Sequence, residues 1–141
     1  MMEPLLFPPT SLSLKRVGNQ VKVQCLVRKT WLVLTPEEWV RQHVIGFLIN
    51  HKGVNTGRIS VEKSLVYNQQ IKRWDIATFD QHGEPAFLIE CKRPSIPCSM
   101  EVMVQISAYQ QVFKAQKLII TNGLVCHVYE EGVWNEGLNN I

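Results

Sequence analysis

Glu90 and Lys92 stand one residue apart at the end of the apolar run Ala86-Phe87-Leu88-Ile89, which Pro94 closes. Such a run, bounded by Gly83 and Pro85 on one side and Pro94 on the other, predicts a buried strand. Side chains alternate along a strand, so Glu90 and Lys92 share a face while Cys91 points the opposite way. Unlike charges at the rim of an apolar strand cost free energy unless each has a partner. They belong either to a structural ion pair or to a site, and Glu-x-Lys alone does not choose. Asp75 is the first candidate partner. It lies in a predicted strand over 71–79, joined to the strand ending at Lys92 by the turn Asp80-Gln81-His82-Gly83. Strands joined so tightly are antiparallel neighbours, which sets Asp75 close to Glu90 and Lys92.

A further acid arises on a helix. Thr35-Pro36-Glu37-Glu38 has the form of a helix start, with Thr35 as N-cap, Pro36 in the first helical position and Glu38 three after the cap. The apolar stripe Val40, Val44, Phe47 and Leu48, extended back one turn, lands on Glu37 beside Arg41. Glu37 is therefore expected to face the protein, and Glu38 to face water or cap the helix. The bland alternative for Glu37 is a first-turn glutamate satisfied by the helix dipole. Glu37, Asp75, Glu90 and Lys92 together suit metal-assisted phosphodiester hydrolysis. Hard oxygen ligands take Mg²⁺, which keeps several waters; the metal activates a water and stabilises charge on the phosphate. Lys92, its pKa lowered by partial burial, would orient or help deprotonate that water.

The elements that must position these residues follow from the remaining pattern. At 141 residues the chain has room for one domain with a real core, and 45% hydrophobic with 19% charged residues is ordinary for a globular protein. A net charge of +3 is compatible with a nucleic-acid partner without requiring one. No apolar stretch is long enough to span a bilayer and no signal peptide is evident, so the chain reads as cytoplasmic with no membrane partner. Cys25, Cys91, Cys98 and Cys126 have no zinc spacing with the four histidines and read as reduced, mostly buried thiols. Residues 1–10, with three prolines, predict an extended arm; 11–34 a hairpin about Gly18-Asn19 with a short third strand; and 35–130 the core of a single domain over 11–141. The core reads as a helix over 35–49, strands over 59–67 and 71–79, the strand ending at Lys92, a helix from the N-cap Ser99 to about 114, then strands over 117–121 and 124–130 about Asn122-Gly123. Gln105 and Tyr109, four apart, stack on one flank of the second helix. The fold class is mixed α/β (α+β), and the tail from Glu131 gives no clear signal.

Asp75 and Glu90-Cys91-Lys92 together resemble the PD-(D/E)xK nuclease superfamily. Leu34-Thr35-Pro36-Glu37-Glu38-Trp39-Val40-Arg41-Gln42, Arg73-Trp74-Asp75, Ile89-Glu90-Cys91-Lys92 and Thr121-Asn122-Gly123-Leu124 resemble, more closely, the N-terminal nuclease domain of type I restriction enzyme R subunits, in its small standalone bacterial form. The likeness runs from about Leu12 to Tyr129, and Gln105-Ile106-Ser107-Ala108-Tyr109 fits the Gln-x-x-x-Tyr motif of the RecB-like branch. It implies a restriction-endonuclease-like core, a mixed sheet flanked by helices. It implies a nuclease that hydrolyses DNA with Mg²⁺, or Mn²⁺ as substitute, in restriction, defence or DNA processing. Asp75, Glu90, the Cys91 carbonyl and Glu37 would ligate the metal, with Glu38 the alternative to Glu37. Lys92 would serve the water, Gln105 and Tyr109 would position the strand or the lysine, and Arg41 and Arg73 would contact phosphates or hold the carboxylates. DNA is the implied partner, with a homodimer or other restriction or repair subunits beside it. Trp74 replaces the superfamily's proline, and no Walker motif is present. ATP-driven translocation is therefore not expected of this chain. A noncatalytic nucleic-acid-binding or assembly module on the same fold is the competing expectation.

Overall fold

The computed structural model describes residues 2–141. Gly18, at φ +60°, turns β1 (Leu14–Val17) into β2 (Gln20–Gln24), and β3 (Trp31–Val33) completes a three-stranded antiparallel sheet in the order β1-β2-β3. The expected hairpin and its third strand are one unit. The Thr35 hydroxyl then accepts the Glu38 N–H at 3.0 Å and caps α1 (Pro36–Asn50).

Six strands form the main sheet. β4 (Ile59–Tyr67), β5 (Gln70–Phe79) and β6 (Pro85–Cys91) make an antiparallel meander, in which the pairing of β5 with β6 is the one the turn at 80–83 predicts. The chain crosses over through α2 (Met100–Ser107) and α3 (Gln110–Phe113) to β7 (Lys117–Thr121), which pairs parallel to β6. β8 (Cys126–Glu130) and β9 (Val133–Glu136) return antiparallel, giving the order β4-β5-β6-β7-β8-β9. Two cores result. Val40, Val44, Ile45 and Leu48 of α1 pack with Ile76, Ile89, Cys91 and Ile119 on one face; Met103, Ile106 and Phe113 pack with Leu88, Leu118 and Ile120 on the other. This is the expected mixed α+β sheet flanked by helices. The alternation of Leu88, Ile89 and Cys91 between the cores is what an apolar strand buried on both faces requires.

Several expectations need correction. The predicted single helix over 99–114 is broken after Ser107: the Tyr109 N–H bonds the Ile106 carbonyl at 3.0 Å, a tightened turn that aims the tyrosine ring at Trp74 and Phe113. The tail holds a strand, β9, because Glu131 and Gly132, at φ +52° and +83°, supply a two-residue hairpin turn and Trp134 packs on Tyr129. The N-terminal arm, over residues 2–10, lacks regular structure, as expected, yet it is docked. The Leu6 N–H donates to the Gly123 carbonyl at 2.7 Å, and Phe7, buried, meets Phe47 edge-on at 5.7 Å between ring centres. Gly123, at φ +87°, lets this contact form, since a Cβ there would lie 2.7 Å from Leu5 and 3.0 Å from Val40. No helix among the described residues is long and apolar enough to cross a membrane.

Candidate active site

Asp75 sits where the sheet's regularity fails. The ladder to β4 skips it, passing from Val61↔Ile76 to Lys63↔Trp74, and the ladder to β6 ends at Ile76↔Ile89. Glu62, facing it across β4, holds φ +57°, a strained value for a non-glycine residue inside a strand. Alternation predicts Trp74 and Ile76 on one face. Instead Trp74 packs with Tyr109 and Phe113 beside α2 and α3, while Ile76 joins the α1 core, because the interruption at Asp75 removes one step of the alternation. The freed Asp75 carboxylate replaces a ladder acceptor. Its Oδ2 takes the Cys91 N–H at 2.8 Å and its Oδ1 takes Arg41 Nη2 at 3.1 Å.

Arg41 is the hub of this half of the site. It is buried, and besides Asp75 it reaches Glu38 at 3.0 Å, Glu37 at 3.1 Å and Glu62 at 3.4 Å. Burial opposes its charge, but Glu38, then Asp75 and Glu62, outweigh that and hold its pKa above the ordinary value. The expected orientation of the two helix glutamates is reversed. Glu38 is buried, with its second oxygen on Gln42 Nε2 at 2.9 Å, whereas the Glu37 side chain is 44% exposed. The physical reason is the β2–β3 connection: Gln42 is pulled inward by donating to Glu38 and accepting the Leu26 N–H at 3.0 Å, which rotates the buried face of α1 past the apolar stripe.

Glu90 and Lys92 open on the other side. They line a cavity of about 210 Å³ with Lys72, Val102, Gln105, Ile106 and Tyr109. Alternation holds here: Cys91 is in the opposite core, and burial, then Asp75, pushes its thiol well up, so it stays protonated. Glu90 pairs with Lys72 Nζ at 3.2 Å. Burial first, then the charge of Asp75, raises the Glu90 carboxyl above its ordinary value, with Lys72 and Lys92 opposing. The two carboxylates thus repel across β5 and β6.

The structure brings Asp75, Glu37 and Arg41 into one cluster and Glu90, Lys92, Gln105 and Tyr109 into one cavity. Arg73, largely exposed, pairs with Glu62 at 3.0 Å rather than with a predicted site carboxylate. Three contributors escaped sequence reading. Glu62 collects Arg28, Arg41 and Arg73; Lys72 pairs with Glu90 and lies 4.9 Å from the Trp74 ring centre; Gln42 holds Glu38. No local pattern marks Glu62 or Lys72, since each stands between an apolar residue and a second charge, Val61 and Lys63 or Ile71 and Arg73. Among the described residues no three His, Cys, Asp or Glu side chains converge as a ready-made metal cluster.

Burial pushes the Glu62 carboxyl up, but the Arg28 hydrogen bond and the charges of Arg28, Arg41 and Arg73 hold it below 4.5. A depressed carboxyl contributes stability that is present above its unfolded pKa and lost as pH falls through the folded value. Unfolding free energy measured by urea titration from neutral pH downward is therefore expected to fall below pH 4.5 more gently in Glu62→Gln than in the wild type. Parallel curves would deny Glu62 that role.

A sequence profile described as the type I restriction enzyme R protein N terminus matches residues 36–141, from the start of α1 to the end of the chain. The chain belongs to this family. No curated protein matches it significantly. Among solved structures, a candidate nuclease belonging to DUF820 from Anabaena variabilis is similar at TM-score 0.51 and 12% identity, over 78% of this chain and 73% of that one. At that identity the likeness shows the fold alone, a fold similar to that of this candidate nuclease. A structure described as SSO0001 is 13% identical over 71% of this chain and 48% of that one, at a TM-score of 0.34 too low to carry weight. The restriction-enzyme profile spans every residue of the two half-sites except Arg28, which lies in the N-terminal sheet.

Proposed function

We propose that this chain is a metal-dependent nuclease that hydrolyses DNA phosphodiester bonds, of the restriction, defence or DNA-processing kind. One observation carries the reading: the Asp75 carboxylate takes the Cys91 N–H at 2.8 Å, which sets it beside the Glu90-Cys91-Lys92 segment, and Glu90 and Lys92 share one small cavity. Two repelling carboxylates with a backbone carbonyl nearby fit Mg²⁺, which takes one or two carboxylates and keeps its waters. Asp75, Glu90 and the Cys91 carbonyl would hold it, and Glu37, which shares the Arg41 guanidinium with Asp75, would reach it through water. A bound Mg²⁺ or Mn²⁺ supplies activation of a water and charge stabilisation at the phosphate.

The chain's own residues do the rest. Lys92 orients the attacking water and carries its proton, while Gln105 and Tyr109 bound the space in which the scissile strand lies. Arg73, exposed, meets a neighbouring phosphate; Arg41 keeps Asp75 in place. DNA and other restriction subunits are the partners that family membership suggests. The competing noncatalytic reading draws on one fact: Asp75 and Glu90 already have cationic partners in Arg41 and Lys72. Purified protein with Mg²⁺ or Mn²⁺ is expected to cut at least one of linear duplex, nicked plasmid and single-stranded DNA. Asp75→Ala and Glu90→Ala are expected to bind the metal more weakly. Metal bound equally by wild type and variants, with no cutting, would replace the nuclease by a binding module.

A further inference from the structure

The chain's positive charge is not spread evenly. Residues 11–34 hold five lysines and arginines (Lys15, Arg16, Lys22, Arg28, Lys29) and no acid, while residues 35–141 hold ten basic and eleven acidic residues. All of the net positive charge therefore lies in the three-stranded sheet and its loops, outside the segment that the restriction-enzyme profile matches. Among the described residues only Arg28 of these five is in an ion pair.

The register puts two of these cations side by side on one face. Lys15 on β1 stands directly opposite Lys22 on β2, and Gln24 opposite Trp31 on β3. Alternation puts Lys15, Lys22, Gln20, Gln24 and Trp31 on the same side, away from the fully buried Val23. Like charges directly opposite each other destabilise a strand pair. Lysines often protect a sheet edge from pairing with other chains. That would account for Lys15 on the edge strand but not for Lys22, which is on the central strand. The Lys15 ammonium lies 4.2 Å from the Trp31 ring centre, so the face carries two cations, an aromatic ring and two amides, with Val17 and Val33 among them.

We infer that this face binds the phosphate backbone of duplex DNA beside the candidate active site. Unpaired lysines neutralise phosphates, and glutamine amides donate to them. The sheet also abuts the site: Arg28, in the β2–β3 connection, reaches Glu62 at 3.1 Å, and Glu62 shares Arg41 with Asp75. The choice of DNA over another polyanion rests on the nuclease reading; the surface itself rests on charge and register.

The test is binding of the full chain to a fluorescent DNA duplex across a salt series without divalent metal, with cleavage assayed in parallel. Lys15→Gln/Lys22→Gln is expected to bind at least about tenfold more weakly at low salt, with log K against log salt shallower by about 0.9 for each lysine that meets a phosphate. Lys15→Arg/Lys22→Arg is expected to keep both affinity and slope, which separates lost charge from lost folding. Unchanged affinity and slope in the glutamine variant, or a wild type that prefers anionic lipid vesicles to duplex DNA, would overturn the surface. Wild-type protein that cuts nothing, yet shows the slope difference, would remove the nuclease reading and leave the surface standing.

Discussion

Lys92→Ala is expected to lower single-turnover DNA cleavage by about 10²- to 10⁴-fold, the range typical of a positioned proton-transfer group, while leaving the unfolding midpoint nearly unchanged. The geometry separates the two effects. The backbone at Lys92 is held by its N–H, which donates to the Thr121 carbonyl at 2.8 Å and continues the parallel β6–β7 pairing. That bond survives substitution by alanine. The side chain makes no ion pair within 4.0 Å among the described residues and projects into the cavity shared with Glu90, so the fold loses little when it goes. Away from buried networks, such a change is worth roughly 0.5 kcal/mol or less. Lys92→Arg is not expected to rescue cleavage, because a guanidinium stays charged and cannot exchange a proton with water near neutral pH. Cleavage by Lys92→Ala at the wild-type rate would take the lysine out of the mechanism.

Arg41→Leu is expected to destabilise the protein by about 3–5 kcal/mol, the cost of removing one partner of a buried ion pair, read by urea unfolding. Four carboxylates depend on this guanidinium to different degrees. Glu37, with its side chain 44% exposed, keeps its hydration and contributes little. Glu38 is buried, and after the substitution only the Gln42 amide would remain to solvate it. Asp75 would keep the Cys91 N–H but lose the cation that offsets its repulsion of Glu90. Arg41→Lys is expected to recover only part of the loss, since one ammonium cannot span donors to Glu38 and Asp75 as a planar fork does. A loss below about 1 kcal/mol, the range of exposed pairs, would mean that water reaches Glu38 in solution.

The chain's local patterns determined much of this. The apolar run ending at Pro94, the turn at 80–83 and the capping sequence at 35–38 each specify an element through neighbouring residues alone, and each formed where expected. Together they were enough to set the strand of Asp75 antiparallel beside the strand of Glu90, since a short turn leaves consecutive strands adjacent. The tertiary structure decided what depends on residues far apart in the chain. Glu38 rather than Glu37 is buried because Gln42 is engaged by Leu26, sixteen residues away, a contact that no helical period contains. Trp74 and Ile76 lie on opposite faces because Glu62, on the neighbouring strand, leaves the extended conformation opposite Asp75. Lys72 reads as a surface lysine until β5 and β6 are paired, when it becomes the counter-charge of Glu90. Backbone turns and apolar periods are local and survive in sequence, whereas the partner of a charge is settled only when strands from different segments close around it.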